Sequence, residues 1–412
     1  MIAYHYPPVG VSSGVHRTLK FSQYLLEYGW KPIVLTINPK AYERVNNHQL
    51  KDIPPEVHVE RAFGLDTAKH LSLAGRYPGF LALPDRWVSW AIGGLLSGMR
   101  LIKKNKPDLI WSTYPIATAH LIGLVLHKLS GIDWIADFRD SMTEPGYPAG
   151  GLKRKFFLWI EKKAVENATR VVFTTPGTVE MYAKRYPHIP KSRWAIIANG
   201  FDEENFLEAE RQSSAPGQNK QPGFTLLHSG LIYPSERDPR HFFAALAELK
   251  QEGKIAADDL RIVLRATGHD ELFAPMLEEA GINDLVLLEP PVHYGEALKE
   301  MLNSDGLLIF QAAGCNHQIP AKIYEYLRAR RPIFTLTDPE GDTAGVLREA
   351  GIDTLARLDD KDSIKAGLLR FLQLLADNKA PLASDEEINR HSRQSRTKAL
   401  ATLMDEVSGS HP

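Results

Sequence analysis

Lys322 and Glu325 stand three residues apart in GCNHQIPAKIYEYLRARRPIFTLT, residues 314–337, so a helix there would carry both on one face. The run 306–310 (GLLIF) reads as a fully buried parallel strand, and 332–336 (PIFTL) reads as the next. Between them a loop with Cys315, Asn316 and His317 feeds a short helix. Open α/β sheets bind ligands outside the carboxyl ends of their strands, which is where this pair would point. A lysine brings charge to a phosphate, a glutamate accepts from sugar hydroxyls, and His317 would donate to one. A nucleotide sugar needs that set of groups.

Three further stretches could do chemistry. PPVGVSSGVHRTLKF, residues 7–21, joins a strand to a helix; Gly10 and Gly14 permit a tight turn, and Ser12 or Ser13 can cap a helix whose free amides attract an anion. Its spacing is neither GxGxxG nor Walker A, and a plain strand-to-helix turn is the other reading. WIADFRDSMTEP, residues 134–145, ends a strand in Asp137, Arg139 and Asp140, where Arg139 could hold Asp140 ionised or merely close a loop. SGLIYPSERDPRHF, residues 229–242, follows Gly230 with Arg237 and Arg240 near a helix start. Unpaired, these arginines would neutralise phosphate; paired with Glu236 or Asp238 they would only decorate a surface.

His120 lies among Leu121, Ile122, Leu124 and Val125 and reads as either a core histidine or a catalyst. Asp360-Lys361-Asp362 matches a metal-binding DxD in letters only, because it follows the last expected strand and would begin an exposed helix. No metal site and no cofactor are expected.

The elements that must hold these residues alternate between apolar β runs and helical stretches in both halves, the pattern of parallel sheets covered by helices. Strands are expected near 2–6, 32–37, 108–112, 133–138, 170–174 and 194–198, then 224–229, 260–265, 284–288, 306–310 and 332–336. The polar segment 208–223 separates the two series. The fold class is therefore α/β, with two Rossmann-like domains facing each other across a cleft. The first spans 1–205, a linker 206–223, the second 224–380, and a helical tail 381–412 that can pack back on the first domain. No period of 20 to 50 residues indicates a solenoid.

Composition removes several classes. The 412 residues, 43% hydrophobic and 24% charged, suffice for two cores. With 49 basic against 50 acidic side chains and no basic arm, nucleic-acid binding is not expected. A single cysteine, Cys315, fits a reducing cytoplasm, and no secretory-signal pattern precedes the first strand. That strand, MIAYHY, is short before Pro7 and Pro8, or the start of the chain trims it. No apolar run reaches the ~18 residues of a membrane span. LKRKFFLWIEKKA, residues 152–164, mixes lysines and aromatics as a helix lying on an anionic membrane does, although helices covering a sheet bury such aromatics too.

In order along the chain, the YxPP start with its glycine loop, GWKPIVLT (29–36), KPDLIWSTYP (106–115), DWIADFRD (133–140), RVVFTTPGTVEMY (170–182), IIANGFD (196–202) and IPAKIYEYLRARRPI (319–333) resemble the retaining glycosyltransferases of family four. The resemblance implies the GT-B fold and transfer of a sugar, with retention and without a metal, from a nucleotide-diphosphate donor. The second domain would hold that donor and the first a glycan or lipid-linked acceptor, in polysaccharide or glycoconjugate biosynthesis at the cytoplasmic face of the membrane. By position, Glu325 matches the second glutamate of the family's E-x7-E motif, which contacts ribose. Lys322 is the lysine of the PxKxxEY variant, and Arg237 falls near the residue gripping the diphosphate. Gly10 and Gly14 match the phosphate-facing loop, Gly230 closes the SG strand end, and His120 lies near the acceptor-domain histidine. Arg237, Lys322, His120 and Asp140 are thus the catalytic candidates; Gly10, Gly14, Gly230, His317 and Glu325 are the donor-binding ones. The sequence departs from the family at His317, where the first glutamate falls, and at Leu231, where an arginine follows the glycine. A non-catalytic sugar-nucleotide-binding protein, a phosphorylase or an epimerase would share the fold.

Overall fold

A computed structural model describes residues 1–10, 14–212 and 223–409. The chain forms two compact units: 1–199 with 393–412, and 200–392.

In the first unit the β-branched and aromatic runs form β1 (Ile33–Ile37), β2 (His58–Ala62), β3 (Ile110–Thr113), β4 (Trp134–Arg139), β5 (Arg170–Phe173) and β6 (Trp194–Ile196). All pairings are parallel, in the orders β2-β1 and β3-β4-β5-β6. The chain start joins these ribbons, since Ile2 bridges to Leu35 on one side and Ser112 on the other. The expected strand 2–6 is therefore a single bridged residue, because Tyr6 already turns back to the Tyr4 carbonyl and Pro7 and Pro8 offer no amide to a ladder. Strand β2 escaped the sequence reading: HVERA buries only Ala62 and lacks an apolar run.

The helix Leu152–Asn167 docks through Phe157, Ile160, Glu161, Ala164 and Val165. Glu161 is fully buried and accepts from Thr143, Tyr182, Tyr186 and Arg185, each at 2.7 Å. Four donors offset the desolvation of that one carboxylate. The terminal helix Arg393–Ser408 lays Leu400, Ala401, Leu403 and Met404 against Ala3, Phe21, Trp111 and Ile135 in the first unit's core.

The second unit is one parallel sheet of β7 (Phe224–Ser229), β8 (Leu260–Arg265), β9 (Val286–Glu289), β10 (Gly306–Phe310), β11 (Ile333–Leu336) and β12 (Leu355–Ala356), ordered β12-β11-β10-β7-β8-β9. This is the doubly wound order, whose direction reverses between β7 and β10. That reversal separates their following connections and opens a crevice at their carboxyl ends.

The domain boundaries differ from those expected. Instead of a linker from 206, a helix Glu203–Gln212 buries Phe206 and Ala209 within the second unit. Arg328, largely buried, anchors it with ion pairs of 2.6 and 2.8 Å to Glu203 and Glu210. A polar composition conceals this helix because its hold is ionic; residues 213–222 lie outside the described ones. The tail likewise returns to the first unit at 393 rather than 381, since Ser392 bridges to Phe201 and His391 packs on Tyr324 at 5.0 Å.

Candidate functional site at the β7–β10 switch

Strand β7 ends at Ser229, and Gly230 follows with a φ of +126°, a conformation side chains rarely adopt. Lys322 opens the helix Lys322–Ala329 beyond β10 and extends to this glycine, so closely that a Cβ on residue 230 would stand 2.8 Å from its Nζ. Tyr326, one turn further, accepts at its hydroxyl a 2.9 Å bond from the Ser229 amide. Helix and strand end are thereby fixed to one another.

The Lys322 ammonium lies 3.0 Å from His228 Nε2, and His228 Nδ1 lies 2.8 Å from the Leu308 carbonyl. Burial pushes the Lys322 pKa down to about 7, with help from the Arg237 charge and against the pull of Glu325. Burial and then Lys322 push His228 well below the usual imidazole range, so its ring is neutral.

Arg237 donates from Nη1 to the Leu231 carbonyl at 2.9 Å, its guanidinium lies 5.4 Å from the Tyr233 ring centroid, and its buried Nε has no hydrogen-bond partner among the described residues. Arg240 instead pairs with Asp238 on the surface. Of the two expected arginines only Arg237 turns toward the switch. Glu325 takes a 2.7 Å hydrogen bond from the Tyr294 hydroxyl. His317 is half-buried in the loop after β10, which Asn316 braces through Asp338 at 2.8 Å. Beside Leu231 a pocket of about 640 Å³ is lined by Ala266, Gly268, His269, Leu272 and Pro291, from the loops after β8 and β9. Another, of about 480 Å³ near Met1, Trp30, His58 and Asp108, lies at the amino-terminal edge of the first unit's sheet, away from the strand ends that bind ligands.

The structure thus gathers Gly230, Arg237, Lys322 and Glu325 around one strand end and adds His228, Tyr294 and Tyr326, which the sequence reading did not single out. His228 left a trace, a histidine interrupting the apolar run before SG. The tyrosines left none.

The first-unit candidates fare differently. His120 is fully buried, with Nδ1 2.8 Å from Ser112 Oγ and its ring 4.7 Å from Phe138. Burial drives its pKa to about 3. His120 is thus a neutral, buried ring whose Nε2 has no hydrogen-bond partner among the described residues, which fits the core alternative of the sequence reading. Gly10 serves packing: its amide donates 2.8 Å to the Arg44 carbonyl, and a Cβ would come within 3.1 Å of that backbone. Gly14 is buried at the head of the helix Gly14–Tyr24; Ser12 and Ser13 lie outside the described residues. Asp137, not Asp140, is the paired carboxylate. It is fully buried, takes bonds of 2.9 and 3.0 Å from Arg17, and receives Thr113 at 3.0 Å. Asp140 lies just beyond, exposed to solvent. Arg139 sits at φ +62° where the β4–β5 register slips, with its buried Nε unpartnered among the described residues. Asp360 caps the helix Lys361–Ala376, accepting from the amides of Asp362 and Ser363. Among the described residues no three His, Cys, Asp or Glu side chains cluster as metal ligands would.

Two Rossmann-like units with a site at the second unit's strand switch define the GT-B class. Residues 16–200 match the family model of the glycosyl transferase 4-like domain. Sucrose-phosphate synthase from Thermosynechococcus elongatus superposes with a TM-score of 0.68 at 14% identity, over 100% of this chain and 99% of that one. HepE from Anabaena, in complex with UDP-glucose, gives 0.65 at 11% identity over 98% and 99%. A putative UDP-N-acetylglucosamine 2-epimerase from Listeria monocytogenes gives 0.59 at 12% identity over 100% and 97%. A search of curated proteins returned no match. The similarity to the glycosyl transferase 4-like domain thus spans the first unit, and the chain as a whole shares the GT-B fold of these structures.

Proposed function

We propose that this protein transfers a sugar from a nucleotide-diphosphate donor to a glycan or lipid-linked acceptor, with retention, in cell-surface polysaccharide or glycoconjugate biosynthesis. The observation that carries the reading is Lys322 standing over Gly230 at the β7–β10 switch, with Arg237 anchored on the carbonyl of the next residue and both Arg237 and Glu325 acting on the Lys322 charge. A diphosphate laid against Gly230 would meet the Lys322 ammonium and the Arg237 guanidinium. These fixed cations would stabilise the charge that grows on the departing nucleotide, with no metal called on. Glu325, oriented by Tyr294, would accept from ribose hydroxyls, and His317 would face the sugar. The base would rest in the pocket beside Leu231. No protein nucleophile is assigned, because same-face attack assisted by the leaving phosphate accounts for retention. Calorimetry with UDP, GDP, ADP and their sugar conjugates tests this. Binding of one nucleotide with a Kd of about 1 μM to 1 mM, abolished by Glu325→Ala, is expected; no binding to any overturns the donor site. Lys322→Ala and Arg237→Ala should then slow transfer far more than they lower stability.

The lipid-linked acceptor is favoured by the outer face of the helix Leu152–Asn167. Leu152 (62%), Phe156 (41%) and Trp159 (48%) are exposed there beside Lys153, Lys155 and Lys162, the mixture of an interfacial helix. Peripheral contact with the cytoplasmic leaflet would follow; no helix among the described residues is long and apolar enough to cross a membrane. Failure to sediment with anionic vesicles at low salt would remove this part. A nucleotide-sugar epimerase is the second reading, since the Listeria monocytogenes neighbour named for that activity shares the fold. Epimerised nucleotide sugar appearing without an acceptor would establish it, and tight donor binding with no turnover would leave a binding protein.

A further inference from the structure

His228 lies in the middle of a packed sheet, fully buried between β10 and the helix that begins at Lys322. Its two nitrogens are not equivalent. The Leu308 carbonyl, 2.8 Å from Nδ1, can only accept, so Nδ1 carries the hydrogen. Nε2 is then left with its lone pair, and the group 3.0 Å away, the Lys322 ammonium, must donate to it. The β10 backbone thereby sets the tautomer that a lysine on another element requires. Phe310 packs edge-on against the ring, with centroids 5.0 Å apart.

We propose that His228 is the positioning residue of the donor site: a tautomer-locked, uncharged acceptor that holds the Lys322 ammonium over Gly230 without neutralising it, so that its whole charge is available to the diphosphate. This rests on the donor-site reading given above. The choice of residue is what the chemistry demands. A carboxylate at 228 would also hold the ammonium, but as an ion pair that a phosphate would have to break or share. An apolar side chain would leave a half-buried ammonium with one partner fewer and free to swing away. A neutral imidazole does neither. The groups facing Lys322 are few: His228 from β7, Arg237 from the loop after it, and Glu325 from its own helix. The depressed pKa of Lys322 agrees with an ammonium whose nearest partner carries no charge. A bound diphosphate would raise that pKa again, so donor binding should take up a proton near neutral pH.

Two measurements test this separately from the donor-site reading. Competitive acylation of the free protein across pH, with the Lys322 peptide quantified by mass spectrometry, reports the amine's titration with no nucleotide present. Relative to wild type, His228→Asp should raise the midpoint by a unit or more (about tenfold in proton affinity), because a carboxylate favours the charged amine. His228→Phe should lower it, and His228→Gln, whose amide oxygen also accepts, should keep it near the wild-type value. Calorimetric titration with UDP, GDP and ADP should then show His228→Asp binding weaker by about tenfold or more although its lysine is more fully protonated. His228→Gln should rescue what His228→Phe loses. Proton uptake, read from the dependence of the heat on buffer ionisation enthalpy, should vanish in Lys322→Ala. A purely structural histidine would change melting temperature alone and leave the titration in place. An unchanged Lys322 midpoint in His228→Gln and His228→Asp, both checked for folding by circular dichroism, overturns the proposal. If no nucleotide binds wild type while the midpoint still follows residue 228, the donor-site reading fails, and with it the diphosphate role of the pair.

Discussion

Gly230→Ala is the sharpest perturbation of the site because its two consequences fall on different observables. The backbone at residue 230 has φ +126°, and a Cβ would lie 2.8 Å from Lys322 Nζ and 3.4 Å from its Cε. Holding an alanine in that conformation costs about 1–3 kcal/mol of stability. The steric overlap adds little, since the crowded atom is the tip of a flexible side chain that can swing aside. Swinging aside is what harms function. If the ammonium loses its place against the diphosphate, a charged hydrogen bond of about 1.5–3 kcal/mol goes with it, or about 10- to 150-fold in donor Kd at 1.4 kcal/mol per decade. Calorimetry on Gly230→Ala, Lys322→Ala and the double variant reads this directly. Because the alanine acts by displacing the lysine, its penalty should nearly disappear once Lys322 is gone, giving a coupling well above the ~0.5 kcal/mol of independent sites. Additive penalties, or a Gly230→Ala protein that binds donor as wild type does, would refute the geometry argued for Lys322.

Other consequences are as specific. The folded-state pKa of Lys322, about 7, lies below the ordinary lysine value of 10.5, so between those values the unfolded chain binds more protons and stability should rise with pH. Donor affinity should fall over the same range as the ammonium is lost, and a melting temperature and donor affinity that rise together with pH would contradict the assignment. His120, held at about 3, should show no imidazole titration by NMR between pH 5 and 8; a midpoint in that window would return it to the catalytic candidates. Glu161→Leu strands Arg185, Tyr182, Tyr186 and Thr143 around an apolar group and should destabilise the first unit by about 3–5 kcal/mol in denaturant titration, leaving donor binding in the second unit intact. Trp159→Ala with Phe156→Ala, both on the exposed helix face, should abolish sedimentation with anionic vesicles while preserving donor affinity, and unchanged sedimentation would remove that face as the contact.

How much of this was legible in the sequence depends on what kind of interaction each feature uses. Strands such as GLLIF and IFTL declare themselves because a strand buried on both faces reads as a near-continuous apolar run. Strand β2 did not, since its half-exposed residues carry no such constraint, nor did the helix Glu203–Gln212, whose anchor is a pair of glutamates reaching one arginine. Lys322 and Glu325 were found through helical spacing behind a buried strand, a local rule. His228 and Tyr294 reach the site from 94 and 31 residues away in sequence, and local spacing cannot express such contacts. The ambiguity at His120 has the same origin. Its apolar neighbours allowed a core position or a site position, and the contacts with Ser112 and Phe138 that favour the core come from outside its own helix.

The departure at Leu231 acquires a physical meaning from Arg237. Where the resemblance leads one to expect an arginine directly after Gly230, the chain places a leucine whose side chain is turned outward, 45% exposed, over the pocket formed with Ala266 and Gly268. The backbone of that same residue is nevertheless where a guanidinium arrives. Arg237 reaches back six positions and anchors one nitrogen on the Leu231 carbonyl, with its Nε buried and unpartnered. A buried guanidinium donor left open costs about 1–3 kcal/mol or more, so its retention beside Lys322 and Gly230 argues for an anionic occupant that completes it. On the proposed function, Arg237 would supply from the loop the cation that the resemblance places at the strand end, while Leu231 lines the adjoining pocket. Leucine at 231 would then alter how a base and diphosphate are held without removing the charge that transfer of a sugar from a diphosphate requires.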